Sequence, residues 1–140
     1  MKQINSYLTF NGNCREAMTF YQTCFGGTLN FMTIGESPMS EQMPVKMRDC
    51  IMHSTLIFEN ISIMATDMTG KNGLQKGNAV SIMLDCSSEM EIKEIFAKLS
   101  ADGNIDHPLE NTFFGAILAN ITDKYGICWV LHFDKNKLHN

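Results

Sequence analysis

The sequence predicts an α+β fold made of two βαβββ modules, and three observations predict it. Each half of the chain carries one amphipathic helix, which must cover one face of one sheet. In each half a strand precedes that helix and three strands follow it. Phe20-Tyr21 and Ile95-Phe96 also correspond at an offset of 75 residues, a period too long for a solenoid and suited to a duplicated module. The 140 residues fit one domain. Module one is expected over about 1–68, a linker over about 69–78 and module two over about 79–140.

Ile4 to Phe10 alternates as a strand, with Ile4, Ser6, Leu8 and Phe10 on one face and Asn5, Tyr7 and Thr9 on the other. Asn11-Gly12 breaks it. Asn13, with Glu16 three residues on, has the form of a capping box. A helix is expected from Cys14 to Phe25, with Cys14, Ala17, Met18, Tyr21 and Phe25 as its apolar stripe. Gly26-Gly27 stops it, because glycine takes left-handed dihedrals without a Cβ clash. A strand is expected from Thr28 to Ile34. Gly35 to Met47 has no periodicity and contains Pro38, Pro44 and three methionines. It reads as a long loop, either a binding lid or a plain excursion. Two apolar strands follow, Cys50 to Phe58 and Ile61 to Ala65, joined tightly through Glu59-Asn60.

Thr69 to Asn78 is the least hydrophobic window and carries three glycines and two lysines, which suits a linker. The order then repeats. Ala79 to Asp85 reads as a strand, and Ser88 with Glu91 as a second capping box. The helix to about Ser100 carries Ile92, Ile95, Phe96 and Leu99, and Asp102-Gly103 ends it. A short strand is expected from Asn104 to His107, stopped by Pro108. Two more strands, Phe113 to Ile121 and Ile127 to Phe133, flank a turn at Asp123-Lys124-Tyr125-Gly126.

Composition narrows the function classes. The net charge of −4, from 11 basic and 15 acidic residues, lacks the basic face that a nucleic-acid binder uses to displace counterions. No apolar run approaches the ~20 residues of a membrane span, and nothing near Met1 has the form of a signal peptide. The expected location is the cytoplasm, with neither membrane nor nucleic acid as partner. Cys14, Cys24, Cys50, Cys86 and Cys128 form no CxxC pair and read as reduced thiols acting as small hydrophobes. Eleven methionines suit a core, or an adaptable apolar pocket. The sequence shows no GxSxG elbow, no P-loop and no strand-linked GxGxxG.

Several segments together carry a family resemblance. They are Asn11-Gly12-Asn13-Cys14-Arg15-Glu16-Ala17-Met18-Thr19-Phe20-Tyr21 with Phe25-Gly26-Gly27, then Ile51-Met52-His53 and Asn111-Thr112-Phe113-Phe114-Gly115. The last is Ile121-Thr122-Asp123-Lys124-Tyr125-Gly126-Ile127-Cys128-Trp129. In this order the chain resembles the PhnB-like branch of the vicinal oxygen chelate superfamily, which includes glyoxalase I, bleomycin-resistance proteins and extradiol dioxygenases. The resemblance implies curved mixed sheets around a cup-shaped cavity, helices on the outer face, and a homodimer. It is weaker for activity, because one scaffold serves several chemistries and pure binding. Sequences of this branch are sometimes labelled demethylubiquinone methyltransferases, and this chain has no glycine-rich cofactor loop at a strand end to support that label.

Metal-dependent members place four His or Glu side chains on strands of the two modules. Carried over, those positions fall at Ser6, His53, Ala79 or Val80, and Val130. Only His53 offers a ligand atom, and a catalytic divalent ion normally takes three protein ligands. His132, two residues past Val130, and Asp67 are the alternative donors, and His107 and His139 read as loop and tail residues. The expectation is therefore no metal cofactor, with His53 and His132 as ligands only on the metal reading.

The resemblance sets His53 on a ligand-facing position, where neutral imidazole can bind a ligand or exchange a proton near neutral pH. A satisfied internal histidine is the alternative. Met64, Phe113, Phe114 and Trp129 join it as candidate ligand-binding residues, with core packing as the alternative for each. Three functions are expected in order. The first is binding of a small hydrophobic or aromatic molecule without a catalytic metal. The second is a metal-dependent glyoxalase- or dioxygenase-type enzyme. The third is a dimeric structural or interaction module.

Overall fold

The computed structural model describes residues 2–137. The chain divides into two compact units between Gln75 and Lys76. His139 lies outside the described residues. No helix among the described residues is long and apolar enough to cross a membrane.

In the first unit the elements are β1 (Ser6–Thr9), α1 (Cys14–Phe25), β2 (Thr28–Thr33), β3 (Ile51–Phe58) and β4 (Ile61–Thr66). The sheet order is β1-β4-β3-β2, with β1 parallel to β4 and the other neighbours antiparallel. The parallel pair is possible because the whole β1-to-β4 connection lies between them, α1 included. Cys14, Ala17, Met18, Tyr21 and Cys24 of α1 are buried. They cover the sheet face that carries Leu8, Leu56, Phe58, Ile63 and Ala65, which are buried as well. Phe25 stacks on Phe58 with centroids 5.0 Å apart. Gly27 is required by contact as well as by dihedral. Its φ is +96°, and a Cβ there would lie 2.3 Å from the Ile57 carbonyl oxygen.

The second unit repeats the plan with β5 (Ile82–Asp85), α2 (Glu89–Leu99), β6 (Asn104–Asn111), β7 (Ala116–Thr122) and β8 (Cys128–Asp134). Its order is β5-β8-β7-β6, and again only the first pair is parallel. The chain is thus the α+β, twice-βαβββ fold that the sequence predicts.

Five local expectations need correction. The long loop holds two turns of 3₁₀-helix, Ser40–Gln42 and Val45–Met47. Asn13 makes no side-chain cap on α1. Asp67 takes that role from β4's end, its Oδ1 accepting from the backbone N–H of Gly12 and of Cys14, each at 2.9 Å. In the second capping box Ser88 Oγ accepts from Glu91 N–H at 3.0 Å, but Glu91 reaches back to Ser87 rather than to Ser88. Pro108 does not stop β6, which runs to Asn111 with its register shifted on either side of His107. As an edge strand it can spare the N–H that proline lacks. Finally, Phe113 and Phe114 precede β7 instead of opening it, because Thr112–Gly115 forms a turn closed by Gly115 N–H to Thr112 O.

Candidate functional site

Strand alternation gives each sheet a second face that its own helix does not cover. In module one, register puts Tyr7, Met64, Thr55 and Asn30 side by side across β1, β4, β3 and β2. His53 and Met32 pair one step along the same face. The helix-side residues are buried, whereas here Tyr7 is 57% exposed, Met32 38% and Ile57 49%. His53, Thr55 and Met64 are half-buried between them. The Thr55 hydroxyl lies 3.2 Å from His53 Nε2, and the Tyr7 ring centre is 6.4 Å from the imidazole. The result is an apolar strip of Met, Ile and Tyr with one imidazole and one hydroxyl set into it. Such a surface can hold a flat apolar body and give or take one hydrogen bond.

The other candidates belong to module two. Phe113 and Phe114 lie in the turn before β7, edge-to-face at 5.3 Å, with Phe113 fully exposed. Trp129 is on β8. It faces α2's side of the sheet at 1% exposure, and its indole N–H donates to Asp123 Oδ2 at 2.8 Å. Its aromatic face is occupied by core, so it does not line an open surface.

The carried-over metal positions fare similarly. Ser6 pairs with buried Ile63 and so points to the helix side, leaving Tyr7 on the open face. Val80 lies ahead of β5. Val130 does reach module two's open face but has no donor atom. His132 is engaged with Asp85, Nδ1 to Oδ1 at 2.7 Å. Among the described residues no three His, Cys, Asp or Glu side chains gather as a metal-holding group. Neither face alone supplies the donor set of a catalytic divalent ion.

Asp67 and Asp123 are carboxylates whose role the sequence hid. Asp67 accepts three backbone N–H bonds, from Gly12, Cys14 and, at 2.8 Å, Ile51. Asp123 accepts from Tyr125 and Ile127 backbone and from Trp129. Both are buried and both fix chain crossings rather than ligands. A position immediately after an apolar strand was their only signal. A cleft of about 470 Å³ opens at the start of α1, lined in part by Arg15, Glu16, Asp49 and Asp67. Its Asp67 is committed to backbone, and Arg15 lies over the Phe31 ring at 4.8 Å.

Burial pushes the thiols of Cys14 and Cys86 up to about 12, with nearby carboxylates adding to the shift. All five cysteines are free. Cys14 and Cys86 are therefore neutral, inert packing groups at ordinary pH.

A family model described as 3-demethylubiquinone-9 3-methyltransferase matches residues 2–132. Protein YjdN of Escherichia coli (strain K12) is 28% identical, over 96% of this chain and 97% of its own length. The crystal structure of protein PA1353 from Pseudomonas aeruginosa is 34% identical with a TM-score of 0.85, covering 96% of this chain and 98% of that one. A PhnB protein from Bacillus cereus is 27% identical with a TM-score of 0.71, covering 94% of this chain and 99% of that one.

Proposed function

The chain belongs to the 3-demethylubiquinone-9 3-methyltransferase family, PhnB-like proteins with the fold of the glyoxalase/bleomycin-resistance/dioxygenase superfamily, and from that premise we propose that it binds a small hydrophobic or aromatic molecule on the open face of module one, without a catalytic metal. One observation carries this. Tyr7, Met32 and Met64 neighbour the half-buried His53, with Ile57 further along β3, on a sheet face that α1 leaves uncovered. Methionine adapts its shape to a ligand, and the tyrosine ring offers a flat partner. His53 Nε2 with Thr55 Oγ1 supplies the single polar anchor and can exchange a proton with what it holds. Phe113 and Phe114 are proposed as an aromatic ligand contact of module two itself. The protein acts in the cytoplasm as a homodimer.

The test is a fragment screen by saturation-transfer NMR with aromatic and aliphatic probes, followed by titration. His53→Ala and Met64→Ala should each weaken the best aromatic fragment by about tenfold, the loss of one hydrogen bond or one buried apolar contact. Unchanged affinity in both variants would refute the site.

A further inference from the structure

Module two builds a different polar arrangement on its own open face. Asp85, His132, Leu118 and Glu110 are successive cross-strand neighbours on β5, β8, β7 and β6. Met83, Val130, Asn120 and His107 form the adjacent row. Both rows lie opposite the buried side chains of Leu84, Trp129, Leu131, Ala119 and Ile121.

His132 is held firmly in this array. Its Nδ1 is 2.7 Å from Asp85 Oδ1, and its side chain is 18% exposed against 75% for Asp85. A carboxylate only accepts, so Nδ1 carries the hydrogen and donates it. In the neutral ring the lone pair is then on Nε2. No protein donor among the described residues meets that nitrogen. Beside it Leu118, Val130 and Met83 make an apolar floor. At the far side Glu110 and His107 lie 3.4 Å apart, about 10 Å from His132 across two strand spacings. His107, read from the sequence as a loop residue, is a β6 residue in the structure. The register shifts in β6 put both His107 and Glu110 on this face.

We propose that this face is a proton-accepting site, built from module two alone, for a small molecule with a weakly acidic hydroxyl on a flat apolar body, a phenol or an enol. The body lies on Leu118 and Val130. The ligand O–H bond breaks, its proton goes to His132 Nε2, and the electron pair stays on the ligand oxygen. The imidazolium so formed remains paired with the Asp85 carboxylate, which orients it and stabilises its charge. Nothing is oxidised or reduced, and release of the proton to water restores the pair. The titratable groups facing His132 are Asp85 on β5, Asp134 on its own strand, and Glu110 and His107 on β6. None comes from β7. The proposal does not depend on ligand binding at module one.

The experiment titrates intact protein into 4-nitrophenol, buffered below the midpoint of the free phenol, and reads the visible phenolate band. Wild type should raise the bound phenolate fraction, with Asp85→Asn reducing that effect by about tenfold and His132→Gln abolishing it. Asp85 is exposed, so Asp85→Asn keeps the fold even if His132→Gln does not. Absence of the band in wild type, or an undiminished band in Asp85→Asn, overturns the proposal. A band lost in His53→Ala but kept in Asp85→Asn also overturns it, and supports the module-one reading instead.

Discussion

Asp67→Ala should be the most destabilising single truncation of a charged side chain in module one. Its carboxylate accepts from Gly12, Cys14 and Ile51 at 2.9, 2.9 and 2.8 Å. It thereby ties the end of β4 to the start of α1 and the start of β3. Gly12 is exposed, so water can replace that bond. Cys14 and Ile51 are 0% and 1% exposed, so their N–H groups would be stranded. Each stranded donor costs about 1–3 kcal/mol, which sets the expected loss at about 3–5 kcal/mol. For a chain of this size that corresponds to about 8–16 °C in Tm. Asp67→Asn keeps an acceptor for Gly12 and Cys14 but turns an amide N–H₂ toward Ile51, and should lose about 2 kcal/mol. Urea and thermal unfolding followed by far-UV circular dichroism measures both. A loss under about 1 kcal/mol for Asp67→Ala would refute the claim that these bonds hold the crossing.

Further outcomes are expected. Ser54→Ala should be neutral or stabilising by up to about 1 kcal/mol, because the buried Ser54 hydroxyl has no hydrogen-bond partner; clear destabilisation in the same unfolding assay would show that it has one. Gly27→Ala should cost more than about 2 kcal/mol, since the added Cβ meets the Ile57 carbonyl at a positive φ, and a wild-type Tm would count against it. In native protein at pH 8 a thiol reagent should modify Cys14 and Cys86 far more slowly than half-buried Cys128. Their raised pKa means that the stability they contribute is complete below the ordinary thiol value and is lost as pH rises through about 12, so a scan of Tm from neutral to alkaline pH should fall. After reloading with Zn, Ni, Mn or Fe, elemental mass spectrometry should find well below one ion per chain; a stoichiometric ion would overturn the metal-free proposal.

Sequence periodicity was enough for the architecture because it records what each element must bury. The stripe Cys14, Ala17, Met18, Tyr21 is the buried face of α1, and strand alternation separates Leu8 from Tyr7. The Gly26-Gly27 pair and the Glu59-Asn60 turn mark element ends because few residues tolerate the positive φ found at Gly26, Gly27 and Glu59. His53 was legible as a candidate, though its Thr55 and Tyr7 neighbours were not, since they depend on register across strands. Tertiary structure alone decided that Ser6 and Trp129 face the helices, that β6 continues through Pro108, and that Asp67 replaces Asn13 as the cap. It also brought His132 to Asp85 across 47 residues. Local sequence specifies which face a residue can occupy. Which distant groups meet on that face is set by strand pairing, which no local pattern encodes.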